Sequence, residues 1–167
     1  MEFRVGEKVF HCNHGLGEIV KFDEKVLDGR KTRCYVVQIR DLTIWVPVES
    51  TDRSSLRLLT PRSEFKNLFT ILSSEGKQLS GDRNERRMQL HEKMKDGRME
   101  SICLVIRDLS LHRRTKRMND SDVAILTRAR NFLLNEWAFS FSVPLAQAER
   151  ELSKLLKEQD PKVTLRV

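Results

Sequence analysis

The side chains in this 167-residue chain that could do chemistry fall into two groups of different kind. The first is His11-Cys12-Asn13-His14, with Cys34 further along, a set of imidazole and thiol donors of the sort that holds zinc. Tetrahedral zinc needs four converging ligands, and Gly15-Leu16-Gly17 follows at once, so the cluster reads as a turn whose side chains diverge. No metal is expected there, and a zinc-dependent activity around His11, Cys12, His14 and Cys34 is kept as the enzyme alternative. The second group is cationic: Arg83, Arg86, Arg87 and Lys93, the run Arg113-Arg114-Thr115-Lys116-Arg117, and Arg128. Residues 83–130 hold 13 basic and 7 acidic side chains, net +6, whereas residues 1–60 hold 10 and 9. A helical surface of that sign attracts phosphates and releases counterions from nucleic acid. A solvated face is the plainer reading of a charge run, and Asp108, Glu85 and Glu92 can neutralise part of it.

Other chemistry is missing from the sequence. There is no Walker loop, GxSxG or HExxH, so no catalytic residue, cofactor or small-molecule substrate is expected. Three cysteines without CxxC spacing read as free thiols of a reducing compartment, and Cys103, inside an apolar helix, reads as a small core residue. The longest uninterrupted apolar run, Ile102 to Ile106, is far short of the roughly 20 residues that span a bilayer. The N-terminus lacks the basic and long apolar regions of a secretory signal. A soluble, cytoplasmic protein with no membrane partner is expected.

Two kinds of element must position these residues. Four of the seven glycines lie in the first 30 residues and none follows Gly97, which predicts a turn-rich β half and then a helical half. Tyr35, Val37 and Ile39 alternate with Val36, Gln38 and Arg40, a period of two that puts the first set on a buried face. Asp28-Gly29 is a hairpin dipeptide, so Gly17 to Phe22 and Arg33 to Arg40 are predicted to pair. A further strand, Thr43 to Val46, is stopped by Pro47, which has no N–H for a central ladder. If Ile44 and Val46 face the core, Trp45 points outward; cover by the helical half is the alternative.

The helical half is predicted as five helices. Phe65, Leu68, Phe69 and Leu72 form the first, closed by Gly76 as a C-cap. Asn84 to Lys95 form the second, ended by Asp96-Gly97. Met99, Ile102, Val105, Ile106 and Leu109 belong to a central helix, with the Arg113 to Arg117 run following it. Asn119 to Asp122 cap a long helix bearing Leu126, Ala129, Leu133 and Trp137. Pro144 opens a last helix with Leu145, Ala148, Leu152 and Leu155 inward. The expected organisation is α+β, with a small β-barrel over 1–60, a helical domain over 61–160 and a loose tail over 161–167.

The order of motifs carries a resemblance. Phe3-Arg4-Val5-Gly6-Glu7-Lys8-Val9-Phe10, His14-Gly15-Leu16-Gly17 and Val46-Pro47-Val48-Glu49 resemble the polymerase-interacting domain of CarD/CdnL-like bacterial transcription regulators. A related module occurs in transcription-repair coupling factors. In the second half, Lys93-Met94-Lys95-Asp96-Gly97, Val105-Ile106-Arg107-Asp108-Leu109, Leu126-Thr127-Arg128-Ala129-Arg130 and Leu134-Asn135-Glu136 resemble the helical domain of the same family. The likeness spans about residues 2–157, and a coupling-factor fragment running on into a translocase is not expected. It implies a Tudor/SH3-like barrel that docks on the β subunit of RNA polymerase by a sheet edge, here through Lys25, Thr43, Ile44, Trp45, Val46 and Pro47. It also implies a helical domain that touches promoter DNA, without sequence-specific readout, near the upstream edge of the melted bubble.

Two departures from the family pattern matter. His11-Cys12 replaces a Tyr-Pro before the glycine turn. Arg83 stands where the family often carries a tryptophan that wedges against the opened minor groove, and an arginine can enter that groove but cannot stack as the ring does. The expected function is regulation of open-complex formation at initiation. An adaptor that binds polymerase or another protein without touching DNA is the binding-module alternative, and Arg83 is the residue that favours it.

Overall fold

The computed structural model describes residues 2–49 and 55–158. Strands β1 (Lys8–His11), β2 (Gly15–Leu27), β3 (Arg30–Ile39), β4 (Leu42–Pro47) and β5 (Leu56–Leu58) form one antiparallel sheet, ordered β4-β3-β2-β1-β5. The β2–β3 hairpin is longer than its sequence pattern predicts, because pairing continues to Leu27↔Arg30 at the turn itself. Asp28 and Gly29 both adopt positive φ, 50° and 76°, the two-residue turn whose twist matches that of the strands it joins. Val9, Ile19, Tyr35, Val37, Ile39, Val46 and Leu56 pack into the sheet's core. Phe3 closes it, with its N–H donating to the Tyr35 hydroxyl at 3.1 Å. At Gly17 a Cβ would stand 2.6 Å from Ile39 Cγ1 and 3.0 Å from Gln38 O, so β2 and β3 approach as they do only because that position has no side chain.

The strict alternation expected in β3 is not what forms. Val36, predicted to face outward, is buried, and so is Cys34. Val36 pairs with Trp45 of β4, and Cys34 with Pro47.

The second half folds as α1 (Phe65–Ser73), α2 (Arg83–Lys95), α3 (Met99–Thr115), α4 (Asp120–Phe141) and α5 (Leu145–Leu155), with a 3-10 turn at Arg62–Glu64 before them. Their ends follow local chemistry. Asp82 caps α2 by accepting from Glu85 N–H at 2.8 Å, and Gly97, at φ 67°, lies just past its end. Asn119 and Asp122 form a reciprocal capping box at the start of α4. Helix α3 is central, packing on α1, α2 and α4 with Ile102, Cys103, Val105, Ile106 and Leu109 fully buried. Trp137 is a core residue, ringed by Phe65 and Phe69.

Three expectations change. Gly76 is not a C-cap: α1 ends at Ser74 in extended conformation, and Gly76 is needed for close approach to α3. Leu145, predicted inward, is half exposed at the first position of α5, and Leu155 is only partly buried, leaving Ala148 and Leu152 to anchor the helix. The central helix runs on to Thr115, so Arg113 and Arg114 sit in its last turn and only Lys116 and Arg117 lie beyond it. The chain divides into two compact units between Leu59 and Thr60. Among the described residues no helix is long and apolar enough to cross a membrane. The tail expected over 161–167 lies outside the described residues.

Candidate functional site

Strand β4 is an outer strand of its sheet, and its side chains alternate as the sequence predicts. Val46 is buried and Ile44 half-buried against the core, while Trp45 is 38% exposed. Trp45 pairs with Val36 on β3, yet its Nε1–H donates to Asp23 Oδ2 on β2 at 3.2 Å. The indole therefore reaches across β3 to β2. Lys25 Nζ lies 3.5 Å from the ring centroid, a cation–π contact. The indole N–H, and next the Glu24 backbone N–H, hold the Asp23 carboxyl below the usual carboxylate range. Burial pushes the Cys34 thiol up. Thr43 Oγ1 donates to Gln38 Oε1 at 2.6 Å, and Pro47, opposite Cys34, offers no N–H.

Of the six residues expected at this edge, Lys25 and Trp45 are brought into contact, and Val46 turns to the core, so its side chain is not a surface group. Sequence reasoning misses Asp23. Counting back from the Asp28-Gly29 turn gives the pairing Asp23↔Cys34, but not that an indole two strands away would reach it. An outer strand with a held, amphipathic ring can accept a partner strand by main-chain hydrogen bonds, with the ring as anchor.

The His11 cluster is arranged as a turn. His11 Nδ1 accepts from Asn13 N–H at 3.1 Å, and the rings of His11 and His14 are 4.9 Å apart. Burial, and then His14, lower the His11 pKa to about 4. Among the described residues no three His, Cys, Asp or Glu side chains come together as metal ligands.

On the helical unit the cations separate. Arg83 is exposed at the first position of α2 and Arg87 one turn later. Arg86, expected on the same surface, is instead buried, at 4% exposure. Its Nε and Nη2 donate to both Asp122 oxygens at 3.0 and 2.9 Å, and its Nη1 to Ser80 O at 2.9 Å. A guanidinium committed to a buried carboxylate is not available to a phosphate, so Arg86 joins the first turns of α2 and α4 instead. Beside this pair His112 is buried, and burial, then Arg86, lower its pKa.

The remaining cations differ in how committed they are. Lys93 Nζ is 3.8 Å from buried Asp108, and Arg113 donates to Glu158 at 2.7 Å. Arg114 caps the Leu156 carbonyl, and Arg128 lies 5.2 Å over the Phe132 ring. Among the described residues Arg83, Arg87, Lys116 and Arg117 are exposed and make no ion pair. Lys116 Nζ is close enough to Gly81 that a Cβ there would lie 3.9 Å from it, which sets Lys116 beside the start of α2 and near Arg83. In the sequence Asp122 reads only as a cap, and no spacing signal points to its pairing with Arg86.

Two family descriptions match this chain in the order of its two units. Residues 3–60 match the CarD-like/TRCF RID domain, and residues 67–153 match the CarD C-terminal domain. The chain belongs to the CarD-like family. Trp45 falls within the first matched segment, and Arg83, Arg87, Lys116 and Arg117 within the second. A Bacillus subtilis (strain 168) protein bearing the name "Putative transcription factor YdeB" is 26% identical over 137 residues, covering 80% of this chain and 89% of that protein. CarD-like proteins are transcription factors and are not known as enzymes, and this chain is accordingly a transcription regulator of the polymerase-interacting kind.

Proposed function

We propose that this CarD-like protein acts in the cytoplasm without catalytic activity, docking residues 1–60 on the β subunit of RNA polymerase and placing its helical domain, 61–160, against promoter DNA. The observation that carries this reading is Trp45, exposed on an outer strand and held by Asp23 and Lys25. Main-chain groups of β4 would pair with a β-subunit strand, and the ring would fill a pocket beside it. Arg83, Arg87, Lys116 and Arg117, free of ion pairs among the described residues, support contact with phosphates through charge alone. A protein that binds the open promoter complex better than the closed one shifts the equilibrium between them by that difference in affinity. Arg83 reaches the minor groove electrostatically at the edge of the bubble and does not stack there.

Open-complex lifetime on a linear promoter, measured with polymerase and wild type, Arg83→Trp or Arg83→Ala, tests the DNA half. Arg83→Trp should lengthen the lifetime by supplying a stacking ring, and Arg83→Ala should weaken DNA attachment. Three equal lifetimes would remove Arg83 from the bubble. The adaptor reading is favoured by the burial of Arg86 and the pairing of Arg113. It predicts that lifetimes do not respond to any of the four exposed cations.

A further inference from the structure

A cavity of about 320 Å³ opens in the helical unit between the end of α1, one face of α3 and the end of α5. That volume lies at the lower end of the roughly 300–1,000 Å³ of small-molecule sites. One wall is a helical stripe, since positions 107, 110, 111 and 114 recur at i, i+3, i+4 and i+7 and so share a face of α3. The facing wall is the backbone after α1, and Gly76 lets it approach: a Cβ there would stand 3.0 Å from Leu111 Cβ and 3.3 Å from Arg107 O. Hydrogen bonds fix that wall. Arg107 Nη1 donates to Ser74 Oγ and Nε to Asp108 Oδ1, each at 2.9 Å, and Lys77 N–H also donates to Asp108 Oδ1 at 2.9 Å.

Two polar groups on the α3 stripe remain without partners. Arg107 Nη2 and Ser110 Oγ are buried and make no hydrogen bond, on side chains that are nine-tenths or more enclosed. Buried polar groups nearly always find a partner, and a helical serine commonly bonds back to the preceding turn. Neither happens here. Arg114 and Lys157 add positive charge at the rim, against Glu75. A guanidinium is only a donor, so its complement is an acceptor, and an ionised acceptor is held more strongly than a neutral one.

We propose that this cavity binds a small molecule bearing an oxyanion, phosphate or carboxylate, whose oxygens take the hydrogen bonds of Arg107 Nη2 and Ser110 Oγ. Arg107 is presented for this by Asp108 and Ser74, which occupy its other nitrogens. Neither partnerless atom is exposed to solvent, so binding includes a local rearrangement of the lining side chains. The site lies wholly within the helical unit, and none of Arg83, Arg87, Lys116 and Arg117 lines it.

The test is an amide NMR titration of the full chain with glucose 6-phosphate and, separately, citrate, each against sodium chloride of equal ionic strength. One probe should give saturating shifts at Gly76, Ser110 and Lys157, and the probe that does so assigns phosphate or carboxylate. Ser110→Ala, with its spectrum otherwise intact, should bind about fivefold more weakly, the loss of one modest hydrogen bond. Ser110→Leu, which removes the hydroxyl and adds apolar bulk at that position, should abolish saturation. The proposal is overturned by equal affinity in Ser110→Ala, by no saturation with either probe, or by shifts confined to Arg83 and Lys116.

Discussion

Arg86 and Asp122 form a buried ion pair in the helical unit, the guanidinium also donating to the Ser80 carbonyl and the carboxylate also accepting the Asn119 N–H. Asp122→Ala would leave a guanidinium buried and uncompensated, a change that costs about 3–5 kcal/mol. Urea unfolding should show that loss, and a change within error would mean that the pair is open to water. His11 is sensitive in a different way. Its folded pKa of about 4 lies below the ordinary 6.5, so within that window the unfolded chain binds a proton that the native chain does not. Stability therefore falls as pH drops from 6.5 towards 4, by at most about 1.4 kcal/mol per pH unit from this group. Urea midpoints at pH 7 and pH 5 should differ less in His11→Gln than in wild type.

The elements whose ends are written in local chemistry are legible in the sequence. Asp28-Gly29 locates the hairpin, Asn119 to Asp122 the start of α4, Asp96-Gly97 the end of α2, and Pro47 the end of an outer strand. What escapes is set by contacts distant in sequence. Trp45 on β4 reaches past β3 to Asp23 on β2, and Arg86 is drawn inward by a carboxylate 36 residues away. Gly76 has the spacing of a helix cap, because spacing alone cannot distinguish a glycine that turns the chain from one that lets two backbones meet. Gly17 is of the second kind, and the register of β2 on β3 depends on it. In Gly17→Ala the new methyl would meet Ile39, Val37 and the Gln38 carbonyl, the last of which is backbone and cannot swing aside. The expected cost is roughly 1–3 kcal/mol, as for other overpacked sites. Thermal unfolding followed through Trp45 fluorescence in a Trp137→Phe background checks this, and an unchanged midpoint would show that the hairpin absorbs the methyl by shifting.

At the scale of the whole molecule the charge is divided as the chain is, with a near-neutral sheet unit and a cationic helical unit. In the proposed function, tethering by one unit would allow the other to bind DNA weakly and without reading sequence, since a linked second contact is effectively intramolecular. Phosphate contact by the helical unit should accordingly be salt-dependent, each lost contact lowering the log–log slope by about 0.9 on duplex DNA. The two-unit plan and the outward turn of Trp45 are readable from motif order and strand alternation alone. The basic surface is not, because its composition depends on which cations are already paired, as Arg86 is with Asp122. The most direct test of the account is capture of the isolated polymerase β subunit by the immobilised full chain, comparing wild type with Trp45→Ala and with Arg83→Ala. Trp45→Ala, retaining its fold by circular dichroism, should lose about tenfold or more in affinity, as removal of a central aromatic anchor does, while Arg83→Ala captures as wild type. Undiminished capture by Trp45→Ala would contradict docking through the β4 edge.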